Sequence, residues 1–352
     1  MLRICKTLYY VMGAVIDIRT RDVVESPLPI CNQEFENYRA SFDYGSHCLE
    51  ILEYSERRKN LVEVILGFAD REQLSFFDDK TSTLESILDN MLELKRAGRP
   101  LYYRFTRNVN EKNRELAVPK NPLELFFRHY VEMILREAAV HQQCHGWEEG
   151  WSPSSSISVH LPIGSVLSFD ISSCYKNTRA EYIFGFYYEF FRDKIDDNNI
   201  RRDVAGFLTF VSTVYYREGT YALPQGSPIS PKLFNRLMYP LDVLLNRCAL
   251  ERGFTYTRWG DDFSVSSRKD CDSRELLGAL GIVMGYFPVA KDKVYLQKGS
   301  PVFLLGHRIV GNKLGDARNS ELKARKTLDL SLDSLEPWAN VIGYKDLSDD
   351  WF

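Results

Sequence analysis

A chain of 352 residues, 44% hydrophobic and 26% charged, has room for two or three structural units and an ordinary globular composition, which excludes a wholly disordered protein. Its 45 basic and 48 acidic residues leave a formal net charge of -3, which excludes coating of nucleic acid through overall charge, so any phosphate-binding surface must be a local patch. Cys5, Cys31, Cys48, Cys144, Cys174, Cys248 and Cys271 form no CxxC pair, a pattern of reduced thiols and a cytoplasmic setting rather than of a disulfide framework.

Arg3 and Lys6 precede the apolar run Leu8 to Ile16 and imitate a secretory signal. The run is too short to span a bilayer and lacks a small-residue cleavage site, so a buried strand or helix is expected and no membrane partner. Residues 1 to about 100 read as a mostly helical N-terminal extension. Within it, Leu61, Val64, Ile65 and Phe68 give one apolar side to a helix over Asn60 to Ala69. A second helix over Ser82 to Ala97 carries a Ser82/Glu85 capping-box pattern and is stopped by Gly98 and Pro100. The runs 102–107 and 114–119 then predict a hairpin about a polar turn at Asn108 to Asn113. A helix over Leu123 to Val140 follows, then a loop rich in Gly, Ser and Trp from Cys144 to Ser158. His141, Cys144 and His145 cluster there, but a structural zinc site needs four ligands and no second pair is nearby.

Three segments carry chemistry. Ser165-Val166-Leu167-Ser168-Phe169-Asp170 reads as a strand that delivers Asp170 at its end, although a lone Asp in that place more often caps the next helix. In Phe254 to Ser266, two β-prone runs flank Gly260-Asp261-Asp262, the composition of a tight hairpin with acids at its tip. Adjacent like charges repel, so either a divalent cation or a solvated turn accounts for them. Leu223-Pro224-Gln225-Gly226-Ser227-Pro228-Ile229-Ser230-Pro231 is a Gly/Pro/Ser loop leading into an amphipathic helix to Arg247, which Pro240 should kink. Gly226 would let the backbone approach a ligand closely.

The order of these segments resembles the reverse transcriptases, in particular the prokaryotic ones of retron and group II intron type. A strand-end Asp170 with Tyr175 five residues on, a PQGxxxSP loop, and a hairpin ending in Asp-Asp follow that family's motifs A, B and C. Ala290-Lys291-Asp292-Lys293 is similar to motif D, and Val302 to Gly306 to motif E. Arg107 and Arg114 sit like the basic pair of the fingers hairpin, and His145-Gly146-Trp147 through Ser152, with His160, resemble a stretch typical of prokaryotic members. Three positions depart: Trp259 stands in place of the usual Tyr, Gly260 in place of the common Ala, and Ser172 where Lys is frequent. The helical leader resembles that of defence-associated and abortive-infection members.

The resemblance implies an α+β, right-hand polymerase fold: fingers at 101–164, a palm at 165–312 whose antiparallel sheet is flanked by helices, a fingers insertion near 176–215, and a short helical thumb at 313–352 with a helix over Ser320 to Leu335. It implies RNA-directed DNA synthesis on an RNA template from a DNA or RNA primer. Two Mg²⁺ ions about 4 Å apart, or Mn²⁺ in their place, would be held by Asp170, Asp261 and Asp262 with the Ile171 carbonyl. Arg107, Arg114, Gln225 and Gly226 would bind the dNTP, Tyr175 would exclude a 2′ hydroxyl, and Lys293 would protonate pyrophosphate. An RNA-templated RNA polymerase is the runner-up, and it usually has a second Asp where Tyr175 stands. Template-independent or self-primed synthesis, an inactive nucleic-acid-binding relative, and a non-coding RNA, partner protein or oligomer remain open.

Overall fold

The computed structural model describes residues 9–11, 14–16, 23–24, 44–69, 80–109, 112–216, 219–271 and 273–316. The thumb helix expected over Ser320 to Leu335 lies outside them. In chain order, strands β1 (Tyr9–Val11), β2 (Ala14–Ile16) and β3 (Val23–Val24) precede helices α1 (Tyr44–Glu53), α2 (Ser55–Ala69) and α3 (Lys80–Arg96). The leader is therefore not wholly helical, since β1, β2 and β3 form a three-stranded sheet. Helix α3 starts two residues before Ser82, which places the Ser82/Glu85 pair inside its first turns rather than at its cap. Likewise α2 starts at Ser55, five residues before the apolar periodicity becomes readable.

Strands β4 (Tyr102–Val109) and β5 (Lys112–Pro119) form the expected hairpin, and they run on through most of the stretch read as its turn. The next helical stretch ends at Glu137, not Val140, and is not uniform. It comprises α4 (Asn121–Phe126), a π-helical turn at Phe127–Val131 and α5 (Glu132–Glu137). The wide turn accompanies complete burial of both Phe126 and Phe127, neighbours that a regular helix would point in different directions. After α6 (Pro153–Ser158) come β6 (Ser165–Asp170), α7 (Cys174–Asn177), α8 (Ala180–Phe190), α9 (Asn198–Val211), β7 (Val214–Tyr215) and β8 (Tyr221–Ala222). Pro240 does not kink one long helix. The chain breaks at Met238 into α10 (Ser230–Leu237) and α11 (Tyr239–Glu251), and Pro240 occupies the first turn of α11, where its missing N–H is not needed. The remaining elements are β9 (Thr255–Trp259), β10 (Asp262–Ser267), α12 (Ser273–Met284), a 3₁₀ turn at Lys291–Lys293, and β11 (Tyr295–Lys298), β12 (Val302–Leu304), β13 (His307–Val310) and β14 (Lys313–Asp316).

The chain divides into two compact units, Met1–Ala139 with Thr178–Leu237, and Val140–Asn177 with Met238–Phe352. In the first, Tyr102 at the base of the hairpin is buried and donates its hydroxyl hydrogen to the Val211 carbonyl at 2.6 Å. In the same unit, α8 packs on α9, and α1 and α2 pack on α9 as well.

The second unit is organised by an antiparallel sheet of order β11-β6-β10-β9, on which α11 and α12 pack. This sheet with flanking helices agrees with the expected palm. Phe169 and Phe263 face each other across β6 and β10 with rings parallel and centroids 5.1 Å apart. Both are buried, and such a pair contributes about 1 kcal/mol beyond area burial while fixing the register of the two strands. A second hairpin, β12 to β13, turns at Leu305 (φ 46°) and Gly306 (φ 78°), the left-handed pair that a tight two-residue turn requires.

Candidate active site

Asp170 is the last residue of β6, behind the buried Val166, Leu167 and Phe169. The register that stacks Phe169 on Phe263 sets Asp170 opposite Asp262, the first residue of β10. Gly260 and Asp261 make the two-residue connection from β9 to β10, with Gly260 at φ 65°. That backbone favours glycine. The Ile171 N–H donates to the Asp261 carbonyl at 3.3 Å, tying the strand end to the turn.

Two carboxylates separated by 91 positions in the chain thus meet. Asp170 is 4% exposed, and burial pushes its carboxyl up to about 6; the Lys293 ammonium opposes that rise and the Asp261 carboxylate adds to it. Lys293 donates to Asp170 Oδ2, while Oδ1 is buried with no hydrogen-bond partner. Burial works to lower the Lys293 ammonium, but its hydrogen bond to Asp170 and the charges of Asp170, Asp262 and Asp261 raise it. Asp262 is exposed. Among the described residues no three His, Cys, Asp or Glu side chains converge on one point, so the acids form a pair, Asp170 with Asp261, and Asp262 flanks it. An orphaned buried carboxylate oxygen beside a second carboxylate is a donor set that suits a hard divalent cation.

Lys293 reaches this point because its loop is bonded along the strand end. Ala290 N–H donates to the Asp170 carbonyl at 2.9 Å, and Ser172 N–H to the Pro288 carbonyl at 2.7 Å. Tyr175, on the short helix α7, is partly buried; burial, then Cys174 and Asp261, raise its phenol well above the usual range, so its hydroxyl stays protonated.

Arg107, Arg114, Gln225 and Gly226 lie in the first unit, and Asp170, Ile171, Tyr175, Asp261, Asp262 and Lys293 in the second. Arg107 and Arg114 are exposed and paired directly across the hairpin. Like charges so placed are unfavourable without an anion between them. Elsewhere on the hairpin the charges are balanced by a diagonal pair, Arg104 on Glu115 at 2.8 Å. The Gln225 carbonyl accepts from Ala117 N–H of β5 at 2.7 Å. Gly226 has φ 108°, and a Cβ there would lie 3.4 Å from the Ala117 carbonyl. Its close approach is thus to the hairpin backbone.

Sequence reading missed the support of the turn. Arg258 and Asp242 are fully buried and joined twice, Nε to Oδ1 at 2.8 Å and an Nη to Oδ2 at 2.7 Å. Arg258 also donates to the Gly260 carbonyl at 2.8 Å, and Tyr256 donates to Asp242 Oδ1 at 2.6 Å. A signal existed: Tyr256 and Arg258, two apart on a strand, share one face, and a buried Arg there needs an acid. The 143–147 segment lies along the β9 edge, with Arg258 N–H donating to the Gln143 carbonyl and His145 N–H to the Arg258 carbonyl, both at 2.8 Å. The residues weighed as zinc ligands have other partners: Arg258 donates to Cys144 Sγ at 3.1 Å, and His145 Nδ1 bonds Ser156 Oγ at 2.9 Å. His160 bridges the hairpin strands, bonding Ser266 Oγ at 2.7 Å and Thr257 Oγ1 at 2.8 Å.

Residues 135–305 match the family described as reverse transcriptase (RNA-dependent DNA polymerase). The chain is 27% identical over 169 residues to the retron Mx162 reverse transcriptase of Myxococcus xanthus, covering 44% of this chain and 33% of that protein. It is 27% identical over 125 residues to the retron Ec86 reverse transcriptase of Escherichia coli, covering 35% and 34%. With the retron Mx65 reverse transcriptase of Myxococcus xanthus the identity is 24% over 231 residues, covering 61% and 52%. The chain thus spans about a third to a half of the length of these relatives. Among solved structures, apo telomerase of Candida tropicalis, truncated from its C-terminal domain, superposes with a TM-score of 0.44 at 13% identity, covering 61% of this chain and 55% of that one.

Proposed function

We propose, from the premise that residues 135–305 are a reverse-transcriptase domain of the prokaryotic, retron-like kind, that the protein is an RNA-directed DNA polymerase. The observation that carries this reading is the meeting of Asp170, at the end of β6, with Asp261, in the turn before β10, where one buried oxygen of Asp170 has no hydrogen-bond partner. Phosphoryl transfer asks the protein mainly for alignment and for neutralisation of charge. Two divalent cations, Mg²⁺ or Mn²⁺, held by Asp170, Asp261, Asp262 and the Ile171 carbonyl, would neutralise the transferring phosphate and make the primer hydroxyl more acidic.

The chain's own groups do the rest. Arg107 and Arg114 grip the triphosphate through planar guanidinium forks. Gln225 and Gly226 shape the nucleotide's seat against the hairpin. The Tyr175 ring occupies the space that a 2′ hydroxyl would need, which favours deoxynucleotides. Lys293 leaves Asp170 and gives a proton to the departing pyrophosphate. The template is RNA and the primer DNA or RNA, with a structured non-coding RNA as a candidate source of both. The retron enzymes among the relatives support a retroelement setting, and an antiviral-defence role is a further part of this proposal.

The test is incubation of purified protein with Mg²⁺, labelled dNTPs and a primed RNA. Primer extension that Asp261→Ala abolishes supports the reading, and equal use of NTPs would move the protein to the RNA polymerases.

A further inference from the structure

The turn that carries Asp261 is covered by an aromatic side chain that sequence reading left outside the site. Trp147 is 41% exposed and sits at φ 62°, a left-handed conformation that costs a bulky residue free energy and persists only where the surroundings enforce it. What enforces it is the bonding of residues 143–146 along β9, which ends with Gly146 N–H on the Arg258 carbonyl at 3.3 Å. A Cβ on Gly146 would fall 2.2 Å from the Gly260 nitrogen, so the two backbones are interlocked. A Cβ on Gly260 would fall 2.7 Å from Trp147 Cη2 and 2.9 Å from Cζ2. The indole therefore lies on the Cα of Gly260, in the volume that a methyl group would take. This accounts for glycine where alanine is common.

The same indole also meets Tyr175. The two rings are 24° from parallel with centroids 6.3 Å apart. Tyr175 stands on a helix of four residues, a weak support by itself. Trp147 thus touches both Gly260 and Tyr175, linking the turn that carries Asp261 to the ring assigned to sugar selection.

Resting on the polymerase reading, we propose that Trp147 is a positioning residue for sugar discrimination, setting the Tyr175 ring relative to the catalytic turn. A steric filter works over fractions of an ångström, so a ring free to tilt admits the larger sugar. Trp147→Ala loses discrimination between dNTP and rNTP by about tenfold in the ratio of kcat/KM values, and Trp147→Phe loses less. Because Trp147 acts through Tyr175, Trp147→Ala changes nothing further once Tyr175→Ala has been made.

Single-nucleotide incorporation kinetics with both nucleotide types decide this. An unchanged ratio in an active Trp147→Ala enzyme overturns the inference, as does an additional loss in the Tyr175→Ala background. A wild-type protein that extends no primer overturns the polymerase reading itself. Thermal unfolding gives a readout that needs no activity: Gly260→Ala lowers Tm markedly in the wild-type background and less in Trp147→Phe or Trp147→Ala, where only the left-handed backbone strain remains. Equal losses in all backgrounds would mean that the indole and the turn are not in contact.

Discussion

Arg258 and Asp242 are both sealed from solvent, so each is costly without the other. Removing one partner of a buried ion pair costs about 3–5 kcal/mol, whereas replacing both with apolar groups of similar shape is far milder. Arg258→Met should therefore lower stability by about that amount in urea unfolding, and the double variant Arg258→Met/Asp242→Leu should recover much of it. Activity should not recover with stability, because the Gly260 carbonyl still lacks its donor. For Lys293, Lys293→Ala should lower kcat about 100-fold with little change in the KM for dNTP, the pattern of a proton donor in the transition state. The acids were legible because a strand-end Asp and a Gly-Asp-Asp hairpin tip are local patterns. Asp242 and Arg258 were not, because a helix residue and a strand residue 16 positions apart reveal their pairing only when folded. Trp147 belongs to a recognisable motif, but its contact with Gly260 is likewise tertiary.

Hairpins and helices were read well in kind and less well in extent. The β4–β5 ladder was visible in its alternation, yet it continues to Val109 and Lys112 because polar residues such as Asn108 and Asn113 pair as readily as apolar ones. The start of α3 at Lys80 was hidden because Ser82, with Glu85 three residues on, completes a capping-box pattern by type. The break at Met238 was masked by apolar spacing that runs through α10 into α11 without interruption. Gly226 tests the seating of the loop on β5. Gly226→Ala must hold a left-handed backbone with its methyl close to the Ala117 carbonyl, so the loop should shift. The expected result is a rise of roughly tenfold in the KM for dNTP with a modest loss of Tm; an unchanged KM would mean that the loop does not seat the nucleotide.

For the whole molecule, two buried histidines set an acid limit on stability. Burial lowers His160 from 6.5 to about 3 and His145 from 6.5 to about 4. Both stay neutral in the folded chain while the unfolded chain takes up protons below pH 6.5, so their contribution is level above that pH and stability falls as pH drops from 6.5 towards 3. Glu189, pushed up to about 7 by burial, works in the opposite sense, with stability falling as pH rises from 4.5 to 7. Comparing His160→Asn with wild type isolates the first effect: Tm at pH 7.5 is lower in the variant, but its further drop at pH 5 is smaller than in wild type. Among the described residues no helix is long and apolar enough to cross a membrane.

If Asp170 and Asp261 share a divalent cation, electron paramagnetic resonance of Mn²⁺ titrated into the purified protein reads it out directly. Wild type should deplete the free-ion signal, while Asp170→Asn and Asp261→Asn should each abolish that depletion together with primer extension. Undiminished Mn²⁺ binding in both variants, with their folds intact, would contradict the account.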